Sequence, residues 1–423
     1  MRKHPARVEV VVFSDIGSFH HLVKTSFGYN TWMQTNRPSN AAKKSTASYY
    51  AAFLAMGISM SVVGPTLPGL AASTHATLSA IGLLFTVRSL GSLAASVVGG
   101  SIYDKVKGHG VMGLMILLSA VFCALVPFVP SLWLLIGLMF LTGAAQGLMN
   151  IGGNTLIVWT HGKSVGPFMN GLHFCFGLGT FLTPILVAQF ITRPGGLTTT
   201  YLLAAVLILP TALVALLPSP SQPAVTKTQN GGRIDIWLVV LISLVFGTYS
   251  GASTAFGGWI TTYTLKMGLG DAALGSYLAS VFWGAFTIAR LVAIPLARRF
   301  TPAAILAADF AGALFSLVAM MIWPASLVAV IITSAGFGFA LASIYPTTMS
   351  LASQLMPISG RITGLFSIGN SIGMMIIPWA IGLVFESAPV NMAWVLAVDM
   401  VVALGVLVLL SQWHRQQAAR QAI

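Results

Sequence analysis

The chain has 423 residues, of which 21 are Lys or Arg and only 8 are Asp or Glu, so its formal net charge is +13. About a quarter of the residues of an average soluble domain are charged, whereas the share here is 7%. So few charges cannot cover a water-facing surface, which excludes a soluble enzyme. The mean hydropathy of +0.88 and the long apolar blocks indicate a helical polytopic membrane protein, not a β-barrel with its weak alternating segments.

Twelve apolar blocks are long enough to cross about 30 Å of hydrocarbon. Spans 1 to 12 are predicted near 45–70, 77–103, 109–128, 131–160, 164–191, 197–217, 235–265, 272–299, 302–323, 325–354, 359–386 and 389–411. The polar segment 218–234 separates them into two nearly equal sets, which suggests an internal duplication of the kind associated with alternating access. We therefore predict an all-α membrane protein with six-helix bundles at 45–217 and 235–412, a linker at 218–234 and tails at 1–44 and 413–423.

The basic residues indicate how the chain crosses the membrane. With both termini on one side, that side receives seventeen Lys or Arg and the other side two, Arg193 and Lys266. The positive-inside rule then places both termini in the cytoplasm, and it explains the excess charge without a nucleic-acid partner. The tail 1–44 has no apolar core beside a small-residue cleavage site, so it is interpreted as a basic cytoplasmic tail or as the product of an upstream start, and not as a signal peptide.

Polar side chains within spans usually face a cavity or the interior of the bundle. Gln146, Asn150 and Asn154 in span 4 are spaced by four residues and therefore share one helix face. They would either bond to neighbouring helices or face a polar solute, and three in a row favour the solute. Asn170 and His173 share a face of span 5, where the imidazole would bind solute, relay protons or simply pack against a neighbouring helix.

Span 7 contains two adjacent glycines, Gly257 and Gly258, which weaken a helix. Because broken helices in transporters tend to lie at the binding site, we expect a weak point here. Trp259 and Tyr263 follow and are four residues apart, which predicts an aromatic face suited to a sugar ring. The alternative is an interfacial belt of aromatic residues, more plausible for Tyr263.

Two arginines lie inside spans and need acceptors. Arg290 in span 8 shares a face with Trp283, and it would bind backbone carbonyls, a solute or an acid. The acids within spans are Asp309 and Asp399. Arg88 in span 2 poses the same question, and for each arginine a structural and a functional role stay open.

The end of span 2 and the following loop read Gly100-Ser-Ile-Tyr-Asp104-Lys105-Val-Lys107-Gly108-His109. This run resembles the loop 2–3 signature of the major facilitator superfamily, Gly-x-x-x-Asp-Arg/Lys-x-Gly-Arg/Lys, although Lys107 stands where the second Gly is usual. The resemblance implies a gating role for Gly100, Asp104 and Lys105, in which the acid helps to latch the two halves on the cytoplasmic side.

Further segments are similar to the branch of that superfamily that contains fucose permeases and sodium-dependent glucose transporters. They are Gly64-Pro-Thr-Leu-Pro68, Gly152-Gly153-Asn154, Leu172-His173-Phe-Cys-Phe-Gly177-Leu-Gly179, Phe256-Gly-Gly-Trp259-Ile-Thr-Thr-Tyr263 and Ser343-Ile-Tyr345-Pro346-Thr. The resemblance covers nearly all of 45–412. It implies two six-helix bundles around a central cavity, and sugar transport coupled to H⁺ or Na⁺.

Two departures bear on the coupling. Asn150 and Ser253 stand where relatives of this branch often carry an acid, so no carboxylate lies on the faces assigned to the cavity. A cation-coupled transporter usually needs a titratable or coordinating acid on its pathway. We therefore hypothesise that coupling is absent or runs through His173 or Asp309.

The sequence thus predicts a secondary active or facilitative transporter of an inner or plasma membrane, a monomer that moves a small polar solute, most simply a monosaccharide, without a cofactor or metal. The predicted solute-binding residues are Gln146, Asn150, Asn154, Asn170, His173, Trp259, Tyr263, Trp283, Arg290 and Asn370. An organic-anion carrier or a metabolite or drug exporter that uses Arg290 and Arg88 is the alternative within transport. A non-transporting solute receptor stays open, while a membrane enzyme would need a catalytic motif, such as His-Glu-x-x-His, that the sequence lacks.

Overall fold

The computed structural model describes residues 40–162, 165–220, 235–356 and 360–421. The chain divides into two compact units, Met1–Lys44 and Ser45–Ile423, and the features below belong to the second unit. The predicted tail 1–44 and linker 218–234 fall largely outside the described residues, so both stay predictions.

Fourteen α-helices in the described ranges account for the apolar blocks. They are α1 Asn40–Ser61, α2 Val63–Ser73, α3 Leu78–Lys105, α4 Gly108–Leu125, α5 Leu132–His161, α6 Gly166–Phe190, α7 Gly196–Ile208, α8 Ile236–Lys266, α9 Ala272–Leu296, α10 Pro302–Ile322, α11 Leu327–Leu341, α12 Ile344–Leu355, α13 Gly360–Phe385 and α14 Asn391–Gln421. Short 3-10 helices, Val126–Phe128 and Leu209–Leu216, extend α4 and α7. By length and composition, eleven helices of this part of the chain can cross a membrane, or twelve if α1 and α2 are one bent span. The predicted all-α architecture is confirmed, with helix bounds mostly within a few residues of those expected.

Polar residues begin several of the helices. The side chains of Thr77, Asp271, Thr301 and Ser326 each accept a hydrogen bond from a backbone N–H group in the first turn of the following helix. These are the residue types preferred at N-caps, since their oxygen atoms satisfy donors that have no partner within the helix. Pro302 at the first position of α10 adds a residue that needs no backbone donor there.

Two spans are interrupted where a proline removes a backbone donor. α1 and α2 meet at Val62 with a bend of 41°, and Pro65 follows in the first turn of α2. In the tenth span α11 ends at Leu341 and α12 begins at Ile344, again with a proline, Pro346, in its first turn. Because proline cannot donate to the carbonyl group four residues earlier, the helix ladder is broken just before each of them.

The expected weak point at Gly257 and Gly258 is wrong, because α8 is continuous from Ile236 to Lys266. The glycines instead permit close packing. A Cβ atom on Gly64 of α2 would lie only 2.5 Å from the carbonyl oxygen of Gly257, so the two backbones nearly touch. Small residues at helix contacts are a common device in membranes, and here they join an early span to a late one.

Gly177 and Gly179 of α6 also serve close helix packing. A Cβ atom on Gly177 would meet the side chain of Thr287 in α9 at 2.8 Å, and Gly179 lies against the backbone of α1. α6 thus approaches α1 on one side and α9 on the other. This places the polar residues of α6 between an early and a late helix of the chain.

At one end of the molecule, here named the closed end, the first and last six spans are in direct contact. It comprises α2, the beginnings of α3 and α9, and the ends of α6, α8 and α13. Gln189 of α6 donates a hydrogen bond to the Tyr277 hydroxyl oxygen at 2.6 Å, and the backbone N–H of Leu78 donates to Glu386 at 3.2 Å. The opposite end carries Lys105 and the end of α5, and most of the side chains predicted to bind solute lie between the two ends.

Candidate functional site

The three amides of α5 divide into two environments. Gln146 is buried, and its Nε2 donates to the Ser59 hydroxyl oxygen of α1 at 3.0 Å; Ser119 of α4 donates to the same oxygen at 3.1 Å. Gln146 therefore joins three helices. One and two turns further along, Asn154 Nδ2 donates to Asn150 Oδ1 at 2.7 Å and to its backbone oxygen at 2.9 Å.

The pair of Asn150 and Asn154 keeps unused hydrogen-bonding groups. In the part of the chain that the structure describes, the Asn150 amide N–H groups and the Asn154 side-chain oxygen have no partner. Asn150 is exposed and Asn154 is half-buried. An amide facing lipid would be costly, so an exposed pair on a span is better explained by a polar cavity.

α6 contributes the next two predicted residues. Asn170 is exposed, whereas His173 is half-buried and its ring packs edge-on against Phe53 of α1, with 5.7 Å between ring centroids. Neither ring nitrogen of His173 is hydrogen-bonded to a residue that the structure describes. The imidazole is thus positioned by packing, and both nitrogens are free for a solute or a water molecule.

Arg290 of α9 lies beside His173. Its Nη1 donates to the His173 backbone oxygen at 3.4 Å, a long contact, and its guanidinium carbon lies 4.6 Å from the centre of the Phe286 ring. The guanidinium group also interacts with the hydroxyl group of Tyr249 in α8. Its buried Nε has no hydrogen-bond partner, and no carboxylate faces it among the described residues. Arg290 therefore has donors available to a solute.

Aromatic rings continue from Arg290 across the late helices. Phe286 and Tyr249 stack with 6.5 Å between centroids, and Tyr249 and Tyr345 are 6.3 Å apart. Sequence reasoning did not assign these three residues to the site. The available signal was helical spacing, because Phe286 lies between Trp283 and Arg290 on the same face of α9.

Asn370 of α13 accepts a hydrogen bond from the Ser250 hydroxyl of α8. Its Nδ2 contacts the Met374 sulfur atom at 3.6 Å, which is a weak acceptor. Asn370 is half-buried, and its amide connects α8 to α13 near the aromatic row.

Trp259 and Tyr263 lie in the closed end and have their polar atoms occupied. Trp259 is fully buried, its Nε1 donates to the Pro378 backbone oxygen at 2.9 Å, and its ring stacks on Phe385 at 4.9 Å. Tyr263 is also fully buried and donates to the Pro324 backbone oxygen at 2.8 Å. In this conformation they pack the closed end, so solute contacts by these two residues stay predictions.

Trp283 and Arg88 line a narrow cavity of about 20 Å³ just inside the closed end. Arg88 is 4% exposed, donates from Nη1 to the Met60 backbone oxygen at 3.0 Å, and lies 5.9 Å from the Phe85 ring centre. Met60 stands in the last turn of α1, whose carbonyl groups carry partial negative charge. The break between α1 and α2 thus supplies part of the compensation that the Arg88 charge needs.

The two acids within spans do not reach the polar groups described above. Asp309 of α10 accepts a hydrogen bond from Ser343 at the break between α11 and α12. Asp399 of α14 is 6% exposed, and its Oδ2 has no partner among the described residues. Neither carboxylate is bonded to Arg290 or His173.

Of the predicted gating residues, Lys105 is exposed in the last turn of α3. The side chain of Asp104 and the surroundings of Gly100 lie outside what the structure describes, so the gating role of these residues stays a prediction. In total the structure brings His173 next to Arg290 and Asn150 next to Asn154, whereas the polar atoms of Gln146, Trp259 and Tyr263 are bonded to other parts of the protein.

The sequence matches the model of the family described as Major Facilitator Superfamily over residues 49–378. It is 28% identical to the human sodium-dependent glucose transporter 1 over 380 residues, which cover 80% of this chain and 73% of that protein. The Danio rerio sodium-dependent glucose transporter 1 is 27% identical over 375 residues; the chain spans only 63% of its length.

Solved structures agree on the fold. A D-xylose-proton symporter has a TM-score of 0.72 at 12% identity, covering 86% of this chain and 96% of that one. A point mutant of the nucleoside transporter NupG has a TM-score of 0.68 at 13% identity, covering 89% and 99%. The family model matches most of the chain, and the apolar helices adopt the fold of these transporters. This multi-pass membrane protein therefore belongs to the Major Facilitator Superfamily and is a transporter, not an enzyme.

Proposed function

We propose that this chain carries a monosaccharide across the cell membrane by alternating access. The observation that carries the proposal is the pair of amides on α5, because Asn150 and Asn154 offer one free donor group and one free acceptor to a solute. A sugar presents hydroxyl groups that are both donors and acceptors, and apolar C–H faces that pack on an accessible ring such as that of Tyr345, which is 40% exposed.

The same proposal includes the arrangement of the spans. The first six and the last six spans act as two bundles around the site, and each chain works as a monomer because it contains both. The seventeen Lys and Arg assigned to one side of the membrane place both termini in the cytoplasm. The closed end is then the outer end, and the chain is in an inward-facing conformation.

The relatives support the substrate class by their names. The human and Danio rerio proteins are called sodium-dependent glucose transporters. Small differences between this site and those of the relatives would change which sugar is accepted. Loss of the hydrogen-bond partner of a sugar hydroxyl group discriminates more strongly between sugars than loss of contact with a methylene group.

Coupling to a cation is absent or runs through His173 or Asp309. Neither carboxylate within the spans contacts the site, and Asp309 is held by Ser343. If coupling is absent, proteoliposomes with a pH or Na⁺ gradient will not accumulate sugar above equilibrium. If His173→Ala and Asp309→Asn variants both accumulate sugar in response to a gradient, the coupling hypothesis is wrong.

The test of the function is solute counterflow in proteoliposomes loaded with unlabelled hexose or, in parallel vesicles, with small carboxylates. Counterflow needs no coupling ion, so the lack of carboxylates at the proposed site cannot mask transport activity. We expect transient accumulation of labelled hexose. Silence with hexoses and a signal with carboxylates would favour an anion carrier that uses the unpaired Nε of Arg290. Saturable binding without flux would indicate a receptor.

A further inference from the structure

The narrow cavity beside Arg88 has an unusual set of walls. It is lined by Met60, Ser61, Gly64, Phe85, Arg88, Thr254, Gly257, Gly258 and Trp283. One cation lies in this wall and no carboxylate does. The walls come from α1 and α2, from α3, and from α8 and α9, so the cavity joins early and late helices of the chain.

Hydrogen-bond donors in the wall outnumber acceptors. Arg88 uses one of its N–H groups on the Met60 carbonyl oxygen. The Thr254 hydroxyl and the Trp283 indole N–H have no hydrogen-bond partner among the residues that the structure describes. The Ser61 hydroxyl already donates to the Gly57 carbonyl oxygen at 2.9 Å. Three donor groups thus share one small space, and the local charge is positive.

A buried cation needs compensation, because an unpaired charge in a low-dielectric interior is costly. The end of α1 and the Phe85 ring supply part of it, at 3.0 Å and 5.9 Å respectively. A water molecule would satisfy donors without offsetting the charge. A small anion would do both.

The size of the cavity restricts the anion. A volume of about 20 Å³ corresponds to roughly one water-sized occupant, which excludes a carboxylate metabolite or a sugar ring. The close approach of Gly64 to Gly257 and Gly258 limits the space toward the closed end. A single-atom anion is the occupant that meets both limits.

We propose that this cavity is a binding site for a halide ion, chloride under physiological conditions, held by Arg88, Thr254 and Trp283. The site is complete only while α2 packs on α8, because its walls come from both. Bound chloride therefore stabilises the conformation in which this end is closed. The proposal is independent of the transported solute, since it concerns a resident ion at the closed end.

The test is thermal unfolding of the purified full-length chain in detergent, with sodium chloride replaced stepwise by sodium gluconate at constant ionic strength. Constant ionic strength keeps general screening unchanged. We expect the Tm to rise with chloride and then saturate, and bromide to substitute for chloride. A flat Tm across the series would overturn the proposal.

The variant Thr254→Val locates the effect, because it removes one donor and keeps the shape. We expect about a tenfold higher half-saturating chloride concentration, the effect of losing one hydrogen bond to a charged group. Thr261→Val is the matched control: Thr261 is fully buried on the same helix, its hydroxyl has no partner among the described residues, and it does not line the cavity. A chloride response unchanged in Thr254→Val, or shifted equally in both variants, would overturn the site.

Trp283→Phe gives a second, independent variant that keeps a ring and removes the N–H group. It should weaken chloride binding in the same sense as Thr254→Val. A bromide-soaked crystal should give anomalous scattering beside the Arg88 guanidinium. Anomalous density elsewhere, with none in this cavity, would contradict the assignment even if the Tm responds to halides.

Discussion

Arg88 and Arg290 are both guanidinium groups inside apolar helices, and neither has a carboxylate partner among the described residues. Arg88 lies just inside the closed end, is 4% exposed and donates to a helix-end carbonyl group at 3.0 Å. Arg290 is half-buried, makes a 3.4 Å contact to the His173 carbonyl oxygen and leaves its Nε unpaired. The two residues are of the same type, but Arg88 is enclosed and hydrogen-bonded, whereas Arg290 is partly exposed and keeps an unpaired donor.

The difference indicates how this protein separates closure from solute binding. At the closed end, backbone contacts between Gly64 and Gly257 leave room for at most a single atom next to the charge. Around Arg290, the neighbours are side chains with free polar atoms, so the charge has donors left for a solute. We propose that the buried Arg88, compensated by backbone, serves closure of this end, and that the partly exposed Arg290 serves solute binding.

The largest effect is expected from a substitution that disrupts the packing of the closed end. A Cβ atom on Gly64 would lie 2.5 Å from the Gly257 oxygen and 2.9 Å from the Gly258 Cα atom. Gly64→Ala should therefore force α2 away from α8, at an overpacking cost of about 1–3 kcal/mol. We expect counterflow to fall by at least about tenfold.

Gly69→Ala is the control for this prediction. It lies in the same helix, and its Cβ atom would meet the Leu197 side chain at 3.4 Å, an ordinary contact. Equal counterflow rates for Gly64→Ala and Gly69→Ala would mean that α2 and α8 need not touch during transport.

The second prediction compares the effects of replacing each of the two arginines. Arg290→Gln should raise the half-saturating solute concentration about tenfold, the effect of a lost hydrogen bond to a charged group, and leave the Tm nearly unchanged. Arg88→Gln should lower the Tm, because the Met60 carbonyl contact and the Phe85 ring contact are both buried. Thermal unfolding and counterflow titration of both variants check the pair. The reverse pattern would contradict the comparison.

A smaller effect is expected from the α5 amides. Asn150→Ala removes a neutral donor and the exposed oxygen that accepts from Asn154, but it leaves Gln146 bonded to Ser59. We therefore expect solute affinity to fall about threefold to tenfold at a nearly unchanged Tm. Gln146→Ala should instead lower the Tm, since it breaks a buried contact among three helices. Counterflow titration and thermal unfolding measure the two effects; a Tm loss in Asn150→Ala without an affinity change would remove that residue from the site.

The smallest effect concerns the contact of Glu386 with the first turn of α3 at the closed end. Its carboxylate accepts from Leu78 N at 3.2 Å, where the helix end favours negative charge. Glu386→Gln should shift the closed end toward opening by about twofold to fivefold, or roughly 0.3–1 kcal/mol. Thr262 is 1% exposed and, like Glu386, lines a cavity of about 430 Å³ at the closed end, so a Thr262→Cys side chain should then react faster with a thiol reagent.

Asp271→Asn is the matched control for that measurement. Asp271 caps α9 through Leu274 N at 2.9 Å, and in the described part of the chain no hydrogen bond joins its side chain to the early spans. An equal acceleration of labelling in Asp271→Asn would assign the effect to helix capping and not to the contact between the two sets of spans.

Several elements of the site followed from periodicity alone. The spacing of four placed Asn150 and Asn154 on one face, and the spacing of seven placed Trp283 and Arg290 on one face, as observed. The partner of Gln146, Ser59, lies 87 residues away. No local pattern selects that contact over a solute, because an amide on a helix face bonds to whatever tertiary packing brings near it.

The sequence by itself determined the apolar spans and most of their bounds, because crossing hydrocarbon and completing backbone hydrogen bonds are local requirements. Only the tertiary structure decided what Gly257 and Gly258 do. Two glycines weaken an isolated helix, yet in the packed protein they allow the α2 backbone to approach α8, and the contact outweighs the propensity. The different surroundings of Arg88 and Arg290 were decided in the same way, since the compensation of a buried charge depends on which carbonyl groups and rings are brought beside it.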